Sequence, residues 1–203
     1  MNNENIINEW LKTYLIGPME NVEKKDGGRG WRTSISTKLN KLRDKKGNSV
    51  YIFDPTLEEQ NKTGMEAETL HAKIKGWLAG GNNELVEEYA SLIWKGKTYL
   101  ERTEQGQARL IKVLGDVDYV VNSQFLIARM DKGDSPCGTF MECGIALEHN
   151  IPIYVLQTMP RTEYKGSFCH AVFASKGGFF NSDNELIEFL KKKYNLKDIS
   201  VKE

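Results

Sequence analysis

In Lys12-Thr-Tyr-Leu-Ile-Gly-Pro18 a short apolar run meets a Gly-Pro pair. The run predicts a strand, and the Gly17-Pro18 pair ends it. Beyond this strand the chain alternates. Residues 21–30, with Gly27, Gly28 and Gly30, read as a loop. Residues 31–46 carry Trp31, Ile35, Leu39 and Leu42 at spacings of four, four and three, one face of an amphipathic helix stopped by Gly47-Asn48. A second strand is expected at 49–53, ended by Asp54-Pro55.

Further strands are expected at 118–122, at 151–156 and at 171–174, with 125–128 extending the first of these or pairing beside it. Helices are expected at 107–114, 138–149 and 183–194. Short apolar strands alternating with helices imply an α/β fold with a mostly parallel sheet and helices on both faces. Residues 56–106 differ. They are polar, with helical stretches at 66–78 and 84–94 separated by Gly80-Gly81-Asn82-Asn83. They read as a helical insertion or cap within one domain spanning 1–203.

Composition narrows the function. Lys plus Arg and Asp plus Glu number 28 each, and zero net charge argues against a dedicated nucleic-acid binder. No apolar run approaches the roughly 18 to 20 residues of a membrane span. Residues 1–10 are polar and acidic, unlike a signal peptide. The three cysteines, Cys137, Cys143 and Cys169, fit a reducing compartment, so a cytoplasmic location is expected. Cys137, Cys143 and His149 stand six apart, which is not zinc-site spacing, and no metal is expected.

In parallel sheets ligands sit outside the carboxyl ends of the strands. Three carboxylates fall near such ends. Glu142 is the one charge in Gly138-Thr-Phe-Met-Glu-Cys-Gly-Ile-Ala-Leu147, and a carboxylate there is costly to bury unless paired or used. Asp134 precedes that helix, and Asp54 ends a strand. Each also has a structural reading, as a helix-start charge, a turn residue or a cap. Together they fit a nucleophile and a proton donor at a glycosidic carbon. Arg29 and Arg32 flank Trp31 and suit a phosphate or a base.

Several segments together resemble the nucleoside 2-deoxyribosyltransferase superfamily, which includes 2'-deoxynucleoside 5'-monophosphate N-glycosidases. They are Tyr14-Leu-Ile-Gly-Pro-Met19, Gly30-Trp-Arg32, Phe53-Asp-Pro55, Asp118-Tyr-Val-Val121, Asp134-Ser135 and Gly138-Thr-x-x-Glu142-x-Gly-x-Ala146. The resemblance implies a Rossmann-like or flavodoxin-like sheet and an enzyme that cleaves or exchanges the N-glycosidic bond of a deoxyribonucleoside or its 5'-monophosphate, without a cofactor. By motif position Glu142 is the nucleophile, Tyr14 the strand-one tyrosine beside it, and Asp134 the loop carboxylate. Gly17, Pro18, Met19, Arg32, Asp54, Gly138 and Thr139 would line the substrate. The family also implies a homodimer or larger homo-oligomer whose neighbouring chains close the site. It places a further Asp eight residues ahead of the strand Asp. Counted from Asp118, that position holds Leu110, with Asp116 out of phase. The alternative is a non-catalytic nucleotide-binding module with the same pocket.

Overall fold

The structure is a computed structural model, and it describes residues 10–17, 29–102, 108–131 and 137–199. In chain order the elements are β1 (Lys12–Ile16), α1 (Arg29–Leu39), β2 (Leu42–Arg43), β3 (Tyr51–Phe53), α2 (Pro55–Thr63), α3 (Ala67–Ala79) and α4 (Asn83–Lys95). Then come β4 (Lys97–Arg102), β5 (Ala108–Val113), α5 (Asp116–Val121), β6 (Phe125–Arg129), α6 (Cys137–Glu148) and β7 (Ile153–Leu156). The chain closes with a 3-10 turn (Arg161–Glu163), α7 (Gly166–Ala174), β8 (Gly178–Phe180), α8 (Asp183–Tyr194) and β9 (Lys197–Asp198).

Five strands form one parallel sheet in the order β3-β1-β6-β7-β8. Numbered along the sheet's own strands this is 2-1-3-4-5, the flavodoxin-like winding, which reverses direction between β1 and β6. The strands alternate sides as the two-residue period requires. Tyr14, Ile16, Leu126, Ala128, Ile153 and Val155 pack with Tyr119 and Val120 of α5, Cys143 and Ala146 of α6, and Phe168 and Val172 of α7. Leu15, Phe125, Ile127, Tyr154 and Leu156 pack with Ile35 and Leu39 of α1 and with Leu186 and Leu190 of α8 on the other face. Both faces are therefore covered, and the central strands read as continuous buried runs.

Four elements depart from the expectations. Residues 118–122 are not a strand: Asp118 and Val120 lie in α5, and β6 is the central strand. The β-branched run is overridden by a helix start. The Asp118 carboxylate accepts from the Gly115 N–H at 3.1 Å, and Asp116 and Asp118 lie in the first turn. In place of the helix expected at 107–114, the described residues 108–113 form β5, antiparallel to β4. Residues 171–174 end α7, because Phe168 and Val172, four apart, bury on one helical face; the fifth strand is β8. Finally α1 stops at Leu39, and Leu42 buries from β2, which pairs with β9.

Within the insertion, α3 and α4 match the two expected helical stretches. Trp77 and Tyr89 join them, ring centroids 5.0 Å apart. β4, at the end of the insertion, is a strand in place of the mainly helical segment expected there; it pairs with β5, and every residue of β4 is exposed. Among the described residues no helix is long and apolar enough to cross a membrane.

Candidate functional site

Because the five strands are parallel, Gly17, Asp54, Met130 and Gln157 all follow strand ends on one edge of the sheet. The first group assembled there is Gly17, Arg32 and Asp54. Arg32 projects from the first turn of α1 and is fully buried. Its Nη2 donates to the Gly17 carbonyl at 2.8 Å, and its Nε lies 3.8 Å from Asp54 Oδ1. Its guanidinium carbon stands 4.8 Å from the centre of the Trp31 ring. Gly17 sits where β1 passes β6: a Cβ there would stand 2.6 Å from the Arg129 carbonyl oxygen. Glycine is needed for that approach. Asp54 caps α2. Its Oδ1 accepts from the Thr56 N–H at 3.0 Å and from the Thr56 hydroxyl at 2.7 Å.

A second group lies over the opposite face, around Tyr14. Sequence reading missed most of it. Asp116, the first residue of α5, is buried, and its carboxyl meets Lys62 Nζ of α2 at 3.5 Å. Both side chains are almost wholly buried, at 5% and 2% exposure. The Lys62 ammonium also stands 4.7 Å from the centre of the Tyr119 ring. Tyr119 donates its hydroxyl to Glu58 at 2.7 Å, and its ring lies 5.8 Å from that of Tyr14.

Burial pushes the Asp116 carboxyl above the ordinary carboxylate range. The Lys62 ammonium and the Tyr14 hydroxyl pull it back, and the Glu58 charge pushes it up again. Burial and the bond to Glu58 hold the proton on Tyr119. A carboxyl raised in this way keeps its proton to higher pH than an exposed one. The sequence carried a signal for this group: Gly115-Asp-x-Asp118 is a helix-start pattern, and Glu58 and Lys62 share one helix face at a spacing of four.

The insertion holds Asp116 in position. Gly96, with φ of 69°, ends α4, and Gly115 precedes α5. The two backbones cross so closely that a Cβ on Gly115 would strike Gly96 N and Trp94 O. α4 packs against α2, α3 and α5.

Glu142 lies in the second turn of α6 and is buried, with Thr139 buried one turn earlier. α6 follows β6, so its first turn lies toward the same edge of the sheet. Cys143 packs in the same core as Tyr14, and burial, then the Glu142 charge, push its thiol pKa up. Gly138 is exposed, with open space where a side chain would stand. Pro18, Met19 and Asp134 lie outside the described residues. Among the described residues no group of three or more His, Cys, Asp or Glu is placed to hold a metal ion.

No protein-family model matches the chain, and a search of curated proteins finds no match.

Proposed function

We propose that the chain cleaves or exchanges the N-glycosidic bond of a deoxyribonucleoside or its 5'-monophosphate. The observation that carries this reading is a pair of buried carboxylates on one side of the flavodoxin-like sheet. Glu142 is near the start of α6, and Asp116, at the start of α5, faces Tyr14. The switch point of such a sheet, here between β1 and β6, is where ligands bind. The motif resemblance supplies the substrate class.

We read the resemblance one strand later than the sequence pattern suggests. The strand that comes after the expected Asp is β6, not residues 118–122. Counted back eight from Gln124, just ahead of β6, the position is Asp116, at the start of the preceding helix. Asp54, by contrast, is taken up by its cap and by Arg32. We therefore give the proton to Asp116 in place of Asp54 or Asp134.

In this mechanism a Glu142 carboxylate oxygen bonds to C1', and the C1'–N bond breaks. Its electron pair stays on the base nitrogen, and the Asp116 carboxylic acid protonates the leaving base. Water or a second base then attacks C1', Glu142 departs as carboxylate, and Asp116 takes up the acceptor's proton. Arg32 fixes the end of β1 by holding the Gly17 carbonyl.

The test is incubation with a panel of deoxyribonucleosides and their 5'-monophosphates, with released base read by chromatography. Wild type should release base, and Glu142→Gln should lose about 10³-fold or more, the cost of removing a nucleophile. Full turnover in Glu142→Gln overturns the mechanism. A nucleotide that raises the melting temperature without being cleaved overturns the activity in favour of a binding module.

A further inference from the structure

We propose that Lys62 is the positioning residue for Asp116, holding that carboxyl toward Tyr14 and governing when it carries its proton. The inference rests on the glycosidic reading above. It concerns a residue that neither the motifs nor that mechanism uses.

A lysine is seldom buried unless paired, because taking an ammonium out of water is costly. The Lys62 side chain is 2% exposed, and it meets the Asp116 carboxylate at 3.5 Å. The Tyr119 ring, 4.7 Å away, offers its negative face to the same ammonium. The tyrosine hydroxyl is in turn fixed by Glu58, one turn before Lys62 on α2. α2 and α5 thus grip each other through two crossed contacts, Lys62 to Asp116 and Tyr119 to Glu58. The Tyr14 hydroxyl of β1 acts on the same Asp116 carboxyl.

Among the described residues, the charged and titratable groups acting on Asp116 are Lys62 and Glu58 from α2 and Tyr14 from β1, with Tyr119 on its own helix. Asp118 is engaged elsewhere, with Lys112 at 2.6 Å. Lys62 is the cation of that set. Without it, burial and Glu58 act on the carboxyl opposed only by Tyr14. An uncharged residue at position 62 should therefore leave Asp116 protonated to higher pH, and an Arg should keep it near its wild-type behaviour.

Two readouts on the full chain test this. The first is the titration of the Asp116 carboxyl by 13C NMR, assigned with Asp116→Asn. The second is the pH profile of kcat/KM for base release from the best deoxynucleotide. In Lys62→Met the Asp116 midpoint should rise by about one to three pH units, the usual effect of an adjacent opposite charge. The alkaline limb of the profile should move with it, and Lys62→Arg should restore both. A Lys62 with only a structural role would lower the melting temperature and leave the limb in place.

If Lys62→Met does not fold, Lys62→Gln serves for the same two readouts, because it keeps a polar group beside the carboxyl while removing the charge; an unmoved Asp116 midpoint in that variant overturns the proposal. An unmoved Asp116 midpoint in folded Lys62→Met overturns the proposal. A midpoint that moves while the limb stays also overturns it, since Asp116 is then not the donor. Absence of base release from wild type overturns the glycosidic reading, and Lys62's catalytic role with it. In that case a shifted carboxyl midpoint still reports the pair, so the two failures are distinguishable.

Discussion

Arg32 is the most completely enclosed charge among the described residues, and its contacts define what it does. One nitrogen satisfies the Gly17 carbonyl, another faces Asp54, and the plane lies against Trp31. A guanidinium serves all three at once because its donors form a rigid planar fork; an ammonium is a single point of charge. Arg32→Met should therefore cost about 3 kcal/mol in chemical denaturation, by leaving the buried Gly17 carbonyl without its donor and the mostly buried Asp54 carboxylate without its cation. Arg32→Lys should recover less than half of that. Full recovery by lysine would mean that charge alone, not the fork, is what Gly17 and Asp54 require. Gly17 sets a second single-residue constraint. Gly17→Ala pushes a methyl group against the Arg129 carbonyl, so it should cost about 1–3 kcal/mol and lower the Tm by several degrees. An unchanged Tm would show that β1 and β6 have room to part at their ends.

At the scale of elements, α2 and α5 are joined through Lys62 and Asp116, and this contact gives stability a pH dependence. A carboxyl whose folded pKa lies above its unfolded value binds its proton more tightly in the folded state. Its contribution is then most favourable at low pH and is lost as pH rises through the raised value. Lys62 opposes that loss. Lys62→Met should destabilise by about 1–4 kcal/mol once pH has risen past the raised Asp116 value, the equivalent of the one-to-three-unit rise expected in its midpoint, because the carboxyl must then hold its proton or stand charged and unpaired. The deficit should shrink as acid protonates Asp116. Denaturation midpoints across pH 4 to 8 check the sign, and a deficit independent of pH would mean that Lys62 acts through packing alone. The same elements show what the sequence made legible. β1, α6 and α8 were readable because local pattern and burial agree: an apolar run ended by Gly-Pro, or apolar residues on one helical face. α5 was not, because Tyr119-Val-Val121 has β-branched character while its helix is set by Gly115 and two aspartates upstream. β5 was not, because its partner β4 is supplied by an insertion whose pairing no local pattern announces. That misreading of α5 also hid Asp116, whose place in the site depends on where β6 begins. Glu142 stood out because it is the one charge between Gly138 and Leu147.

At the scale of the whole molecule, the three cysteines report on distinct layers. Cys137 is exposed at the start of α6, Cys169 is partly covered, and Cys143 is sealed in the core with its thiol held protonated. Alkylation of the native protein should modify Cys137 rapidly and spare Cys143, because the thiolate is the reactive form. Cys143 should become reactive only with global unfolding, and mass spectrometry of partially labelled protein would show this order. Rapid native labelling of Cys143 would show that α6 opens independently of the sheet.

The central place of β1 carries a different consequence, for how the chain is made. It pairs with β3 soon after it in sequence, but its other neighbour, β6, arrives far later; the Lys12 N–H meets the Gln124 side chain across 112 positions. On a ribosome adding about 5–20 residues per second, one edge of the first strand waits several seconds for its partner. During that wait α2, α3, α4 and the hairpin emerge and can form from local contacts. The insertion therefore lengthens the interval in which an apolar strand edge is open, while adding little to closure entropy, which grows only with the logarithm of loop length. Nascent chains stalled before residue 125 should present that edge to chaperones, and those released after β7 should not.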